Sequence, residues 1–199
     1  RGCGPLVVAR QPLDPANLEK KKIAIPGTLT TAALLLRLFN PGLRDLVVLP
    51  FHQIMEAAQN GDVDAGLIIH ESRFTYPDYG LHKVIDLGEW WEGATGHPIP
   101  LGGILARRDL GHHLIERVDR ALKASVEYAH ANPQSVRDYI HQHAQEMNQQ
   151  VMQQHIDLYV NAYTLDYGLD GEAAIADLLA RARAGGVIPA SDLPLFIDK

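Results

Sequence analysis

Cysteine occurs once in the 199 residues, at Cys3, so no intrachain disulfide can form. That scarcity fits a reducing compartment, and the sequence is read as that of a cytoplasmic protein. No apolar run approaches the roughly 20 residues needed to span a bilayer. Positive charge is short: 18 Lys and Arg against 24 Asp and Glu leave a formal charge of −6. This balance offers no footprint for nucleic acid or an anionic membrane. Several chemical signatures are missing too. No glycine–lysine pair follows the turn at Gly27, which excludes a Walker loop. No serine sits in a Gly-x-Ser-x-Gly elbow. His112-His113 and His141-x-His143 lack the i, i+4 spacing of a helical zinc pair and read as solvated faces. Cys3 has neither a paired base nor a helix start beside it in sequence, so a nucleophilic role is not expected.

What is present is an ordinary globular composition, 46% hydrophobic and 21% charged. At this length the chain is one large domain or two small ones, able to bury about 70% of its unfolded surface. It opens on Arg1-Gly2-Cys3-Gly4-Pro5 and runs straight into Leu6-Val7-Val8-Ala9. A strand there needs a partner, and the expectation is that the N-terminal part of a longer protein precedes it.

The first two-thirds alternates strand and helix. Lys21 to Pro26 reads as a strand, and Gly27-Thr28-Leu29-Thr30-Thr31 opens a helix that runs to Phe39. Asn40-Pro41-Gly42 stops it. Leu46 to Leu49 is the next strand, Phe51 to Asn60 the next helix, and Ala65 to Ile69 a third strand. The unbroken apolar run of that third strand suits burial on both faces, as in a parallel sheet covered by helices. Lys83 to Leu87 suits a further strand and Glu89 to Thr95 a short helix carrying Trp90 and Trp91, with core the better role for the tryptophans. From Asp109 onward the pattern is helical. Leu110, Leu114, Val118, Leu122, Val126 and Ala129 form an i, i+4 stripe. Asn132-Pro133 reads as a cap followed by proline at the first helical position. The last helix stops at Gly185-Gly186.

Two segments stand out chemically. Right-handed crossovers place the three strands from Lys21 to Ile69 parallel, and ligands bind at the carboxyl edge of such a sheet. Pro26 to Thr31 leaves that edge as a glycine turn into a helix start. Unsatisfied N–H groups and the positive dipole end suit a carboxylate or phosphate there, with Thr30 and Thr31 adding hydroxyls. Thr30 equally suits a plain helix cap. His70 ends the third strand at the same edge, followed by Glu71-Ser72-Arg73. An imidazole titrating near neutral pH can act as a base. A hydrogen-bonded structural histidine is the alternative.

These segments together resemble a known family. Gly66-Leu67-Ile68-Ile69-His70-Glu71-Ser72-Arg73-Phe74-Thr75-Tyr76 is similar to the central motif of 1,4-dihydroxy-6-naphthoate synthases, enzymes of menaquinone biosynthesis by the futalosine route. Asp86 to Glu92, Pro100 to Leu110, Gly4 to Arg10 and Tyr159 to Tyr163 fit the same family. The resemblance implies an α/β, two-lobed fold like the type II periplasmic binding proteins. It implies a lyase that converts cyclic dehypoxanthinyl futalosine to 1,4-dihydroxy-6-naphthoate. His70 would be its general base, and Thr30 and Thr31 would bind substrate. It implies no metal and no organic cofactor. The expected partner is a small-molecule carboxylate substrate, with no nucleic acid and no membrane, and a homodimer stays open. Family members carry a further stretch ahead of the Gly4-Pro5-Leu6 segment. Residues 1–10 would then be the first crossover strand between lobes and 11–100 a complete second α/β lobe. Residues 101–108 would cross back, and 109–199 would be the C-terminal helical part of a partial first lobe. A non-catalytic solute-binding protein of the same fold, and the sister chorismate dehydratase, are the rival readings.

Overall fold

The computed structural model describes residues 2–144 and 148–196. The chain divides into two compact units. Unit 1 comprises Arg1–Leu101 with Asp170–Ser191, and unit 2 comprises Gly102–Leu169 with Asp192–Lys199.

Unit 1 is built on a five-stranded mixed sheet. Its strands are β1 (Leu6–Ala9), β2 (Ile23–Ile25), β3 (Leu46–Val48), β4 (Ala65–Ile68) and β5 (His82–Asp86). Their order across the sheet is β3-β2-β4-β1-β5. β2 pairs in parallel with β3 (Ile23 with Leu46) and with β4 (Ile23 with Ala65), the arrangement expected from two helical crossovers. β1 runs antiparallel between β4 and β5, with Leu6 opposite Ile68 on one side and Asp86 on the other. Both edges of the N-terminal strand are therefore taken by strands downstream of it. All four residues of β1 and of β4 are buried, as the continuous apolar runs require.

Helices cover this sheet. α1 (Thr31–Phe39) and α2 (Phe51–Asn60) are the two crossovers, α3 (Ser72–Thr75) follows β4, and α4 (Leu87–Thr95) follows β5. Ile54, Met55 and Ala58 of α2 pack with Leu6, Val8, Ala24 and Ile68. Helix and strand come unusually close at Gly66, where a Cβ would stand 2.5 Å from Ile54 Cγ2. Glycine in a strand costs intrinsic stability, and here it admits the helix. α2 ends at Gly61, whose φ of 83° suits the left-handed cap. Trp91 is fully buried, and its indole N–H donates to the Pro98 carbonyl at 3.1 Å. Trp90 meets Phe39 edge-on at 5.5 Å. The core role expected for the tryptophans is therefore realised in full by Trp91 and in part by Trp90.

Unit 2 consists of helices α5 (His112–Ala131), α6 (Pro133–His143), α7 (Gln149–Tyr159) and α8 (Ala162–Leu165). The stripe forms a helix from Leu114 to Ala129, Leu110 lying in a short turn before it, and none of its apolar side chains is buried. Leu110, Leu114, Val118 and Leu122 are each 38–47% exposed, and no described residue of unit 2 is buried. Periodicity makes a helix amphipathic; only a packed neighbour buries its stripe. The Asn132 cap also differs from expectation. Its side chain makes no cap bond and instead donates to the Tyr128 carbonyl at 3.0 Å. α9 (Gly168–Ala184) belongs to unit 1 from Asp170 onward and buries Ala174, Leu178 and Ala182.

Candidate active site at the carboxyl edge of the sheet

Three parallel strands end at one edge. β2 leads into Pro26–Thr30, β3 into Leu49-Pro50 and the start of α2, and β4 into Ile69 and His70. β2 and β4 are hydrogen-bonded neighbours, so the threonine turn and the histidine turn leave adjacent strands on the same side. The sheet thus brings Thr30, Thr31 and His70 to one edge, as the strand order implied.

His70 is exposed and lies just beyond the strand rather than on it. Its φ is 58°, the one positive value on a non-glycine residue among the described residues. The left-handed conformation costs an L-residue about 1–2 kcal/mol. Such outliers persist where the surroundings over-determine them, and they cluster at functional sites. The Phe51 ring stands edge-on to the imidazole, centroids 5.4 Å apart. Sequence reasoning passed over Phe51. The available signal was its place as first residue of the helix after β3, at the same edge as His70.

Thr30 caps α1. Its Oγ1 accepts the Ala33 N–H at 3.1 Å and donates to the Gly27 carbonyl at 2.9 Å. The cap role is therefore realised for Thr30. Thr31 Oγ1 donates to the Leu101 carbonyl at 2.5 Å. The first intrahelical bond runs from Leu34 N–H to the Thr30 carbonyl. The N–H groups of Thr31 and Ala32 precede it and have no partner inside the helix. An anion at this turn would meet backbone N–H groups first, with the threonine hydroxyls redirected only by giving up their carbonyls. Leu29, immediately before them, is fully exposed.

Three residues past His70, Arg73 enters a part-buried ion pair that sequence reading missed. Arg73 Nη2 donates to Asp86 Oδ2 at 2.6 Å, with Asp86 3% exposed. Arg73 Nη1 also donates to the Gly4 carbonyl at 2.9 Å. The Asp86 Oδ1 accepts the N–H groups of Gly88 (2.8 Å) and Glu89 (3.1 Å), capping α4. Cys3, nearby in sequence to this clamp, is buried, and desolvation pushes its thiol pKa up. That is the opposite of an activated nucleophile. Among the described residues, no group of three or more His, Cys, Asp or Glu side chains is placed to hold a metal ion.

Residues 1–184 match the model of a family described as menaquinone biosynthesis. The chain is 52% identical to the 1,4-dihydroxy-6-naphthoate synthase of Streptomyces coelicolor, over 96% of this chain and 68% of that protein. It is equally 52% identical to the enzyme of that name from Thermus thermophilus, over 99% of this chain and 71% of that protein. This chain belongs to the 1,4-dihydroxy-6-naphthoate synthase family. It is an enzyme family of menaquinone biosynthesis, as the motifs around His70 implied. A crystal structure of an Archaeoglobus fulgidus protein superimposes with a TM-score of 0.86 at 38% identity, covering 94% of this chain and 70% of that one. A periplasmic sulfonate-binding protein of Methylobacillus flagellatus superimposes with a TM-score of 0.53 at 16% identity, over 92% of this chain and 59% of that protein. The synthase-family chain thus has an α/β fold of the periplasmic-binding-protein kind. No helix among the described residues is long and apolar enough to cross a membrane.

Proposed function

We propose that the protein converts cyclic dehypoxanthinyl futalosine to 1,4-dihydroxy-6-naphthoate, with His70 as general base. The observation that carries this is the placement of His70. It is an exposed imidazole held in a left-handed turn at the carboxyl edge of β4, beside Phe51. Membership of the 1,4-dihydroxy-6-naphthoate synthase family supports this reading of the reaction.

In this reading the substrate carboxylate sits at the start of α1, against the N–H groups of the first turn and the hydroxyls of Thr30 and Thr31. Neutral His70 takes a proton from the position beside the substrate's carbonyl or hydroxyl system. The electron pair released forms a ring double bond, the bond to the sugar-derived fragment breaks, and that fragment leaves. Aromatisation of the second ring drives the step. The chain supplies position and a base, and the reading needs no metal or organic cofactor. In this reading the five-stranded unit, which includes β1 and α9 from Asp170 onward, is the second lobe, and the helices α5 to α8 are part of the first lobe. The substrate is a small carboxylate of the cytoplasm.

A base of this kind contributes about 10² to 10⁴ in rate. His70→Ala in the full-length enzyme is expected to lose turnover by that factor and to keep most of its substrate affinity. Turnover at the wild-type rate would overturn the assignment.

A further inference from the structure

We propose that Arg73, locked by Asp86, is a positioning residue that holds His70 in its left-handed turn. This rests on the reading of His70 as the base.

The argument starts from the backbone. A histidine at φ 58° would relax if its flanks were loose. On the N-terminal side the turn is pinned by β4, which is hydrogen-bonded on both edges, to β2 and to β1. On the C-terminal side it runs into α3, only four residues long. A single helical turn does not hold itself in water. Its anchor is Arg73, three residues beyond the histidine, whose backbone N–H donates to the His70 carbonyl at 3.3 Å. The Arg73 guanidinium reaches three acceptors on other segments: the carbonyls of Gly4 (2.9 Å) and Gly2 (3.3 Å), and Asp86 Oδ2 (2.6 Å). Asp86 cannot swing away, because its other oxygen is engaged by two N–H groups of α4. The planar fork of arginine suits this many-sided contact in a way an ammonium does not. A turn pinned at both ends keeps the imidazole within the few tenths of an ångström that catalysis tolerates. Released, it would relax and misplace the base, and displacements of about 1 Å cost on the order of 100-fold.

The test uses the full-length enzyme and cyclic dehypoxanthinyl futalosine. Arg73→Lys keeps the charge and loses the fork. Asp86→Asn weakens the pair while keeping an oxygen for the α4 cap, a position where asparagine serves as well as aspartate. Each is expected to lower kcat by about 10- to 100-fold with KM nearly unchanged. Each combined with His70→Ala is expected to be no slower than His70→Ala alone, because a positioning residue acts only through the group it positions. Wild-type kcat in either folded variant, or losses that multiply on the His70→Ala background, would overturn the proposal. Should Arg73→Lys fail to give a native circular dichroism spectrum, Asp86→Asn decides alone. Failure of the base assignment looks different: His70→Ala itself would then turn over normally.

Discussion

Asp86 Oδ2 and Arg73 Nη2 lie 2.6 Å apart in a place where the carboxylate is almost wholly removed from water. The pair joins the turn after β4 to the start of α4, and the same arginine ties both to the carbonyl of Gly4. Removing Asp86 would leave the largely desolvated Arg73 charge with only the Gly4 and Gly2 carbonyls to meet it. Asp86→Ala is expected to cost about 3–5 kcal/mol, part of it from the lost cap. Urea denaturation followed by circular dichroism measures it. A loss under 1 kcal/mol would mean that water reaches Arg73 freely.

Beside that pair the backbones of two segments touch. A Cβ on Gly88 would lie 1.9 Å from the Cys3 carbonyl oxygen, and a Cβ on Gly4, itself at φ 145°, would lie 2.7 Å from Gly88 Cα. Backbone cannot step aside as a flexible side chain can. Gly88→Ala is therefore expected to destabilise by more than Gly66→Ala, whose new methyl clashes with the Ile54 side chain while the backbone oxygen of Ile54 stands 3.4 Å away. Overpacking of the second kind costs about 1–3 kcal/mol. Parallel thermal melts of the two variants would show the order, and the reverse order would contradict the close approach at Cys3.

His70 offers a test of backbone strain apart from chemistry. His70→Ala keeps a Cβ in the left-handed region, and His70→Gly does not. The glycine variant is expected to be the more stable of the two, by up to about 1 kcal/mol after the entropy of unfolded glycine is counted. Both should lack the proposed base. Equal melting temperatures would indicate that the turn relaxes once the imidazole is gone.

The cap made by Thr30 and its proposed contact with substrate separate by experiment. Its cap bond to Ala33 predicts that Thr30→Ala loses about 1 kcal/mol, whereas Thr30→Ser loses little. If the same turn also holds the substrate carboxylate, Thr30→Ala with Thr31→Ala raises KM more than it lowers kcat. An unchanged KM in the double variant would confine both threonines to structure.

Burial raises the Cys3 thiol above its ordinary value. The native state therefore holds that proton more tightly than the unfolded chain. The associated stability is fully present below the ordinary thiol pKa and is lost as pH rises through the higher folded value. Iodoacetamide is expected to modify Cys3 far more slowly in the native protein than in urea at pH 8. Equal rates would show that the thiol is open to solvent.

Much of this was legible in the residues. The alternation from Lys21 to Ile69 specified two crossovers, and the observed sheet has β2, β3 and β4 parallel. The boundaries of α2 are the ones read from Phe51 and Asn60. The strand edge bearing Thr30, Thr31 and His70 followed from strand order alone. Other features had no local signal. Nothing in Leu6-Val7-Val8-Ala9 says that it runs antiparallel between β4 and β5, because direction depends on which edges are left open. Nothing around Asp86 says that its carboxylate meets Arg73, 13 residues away.

Sequence by itself determined the periods, the turns and the chemistry at the strand ends. Those depend on neighbours a few residues apart: alternation, i, i+4 spacing, glycine and proline at the breaks, and a histidine where an apolar run stops. Tertiary structure alone decided where β1 inserts, that His70 sits in a left-handed turn, that Arg73 and Asp86 pair, and that the apolar stripe of α5 stays unburied. Each of these is settled by contacts between segments far apart in the chain, where burial and charge pairing, not local propensity, set the free energy.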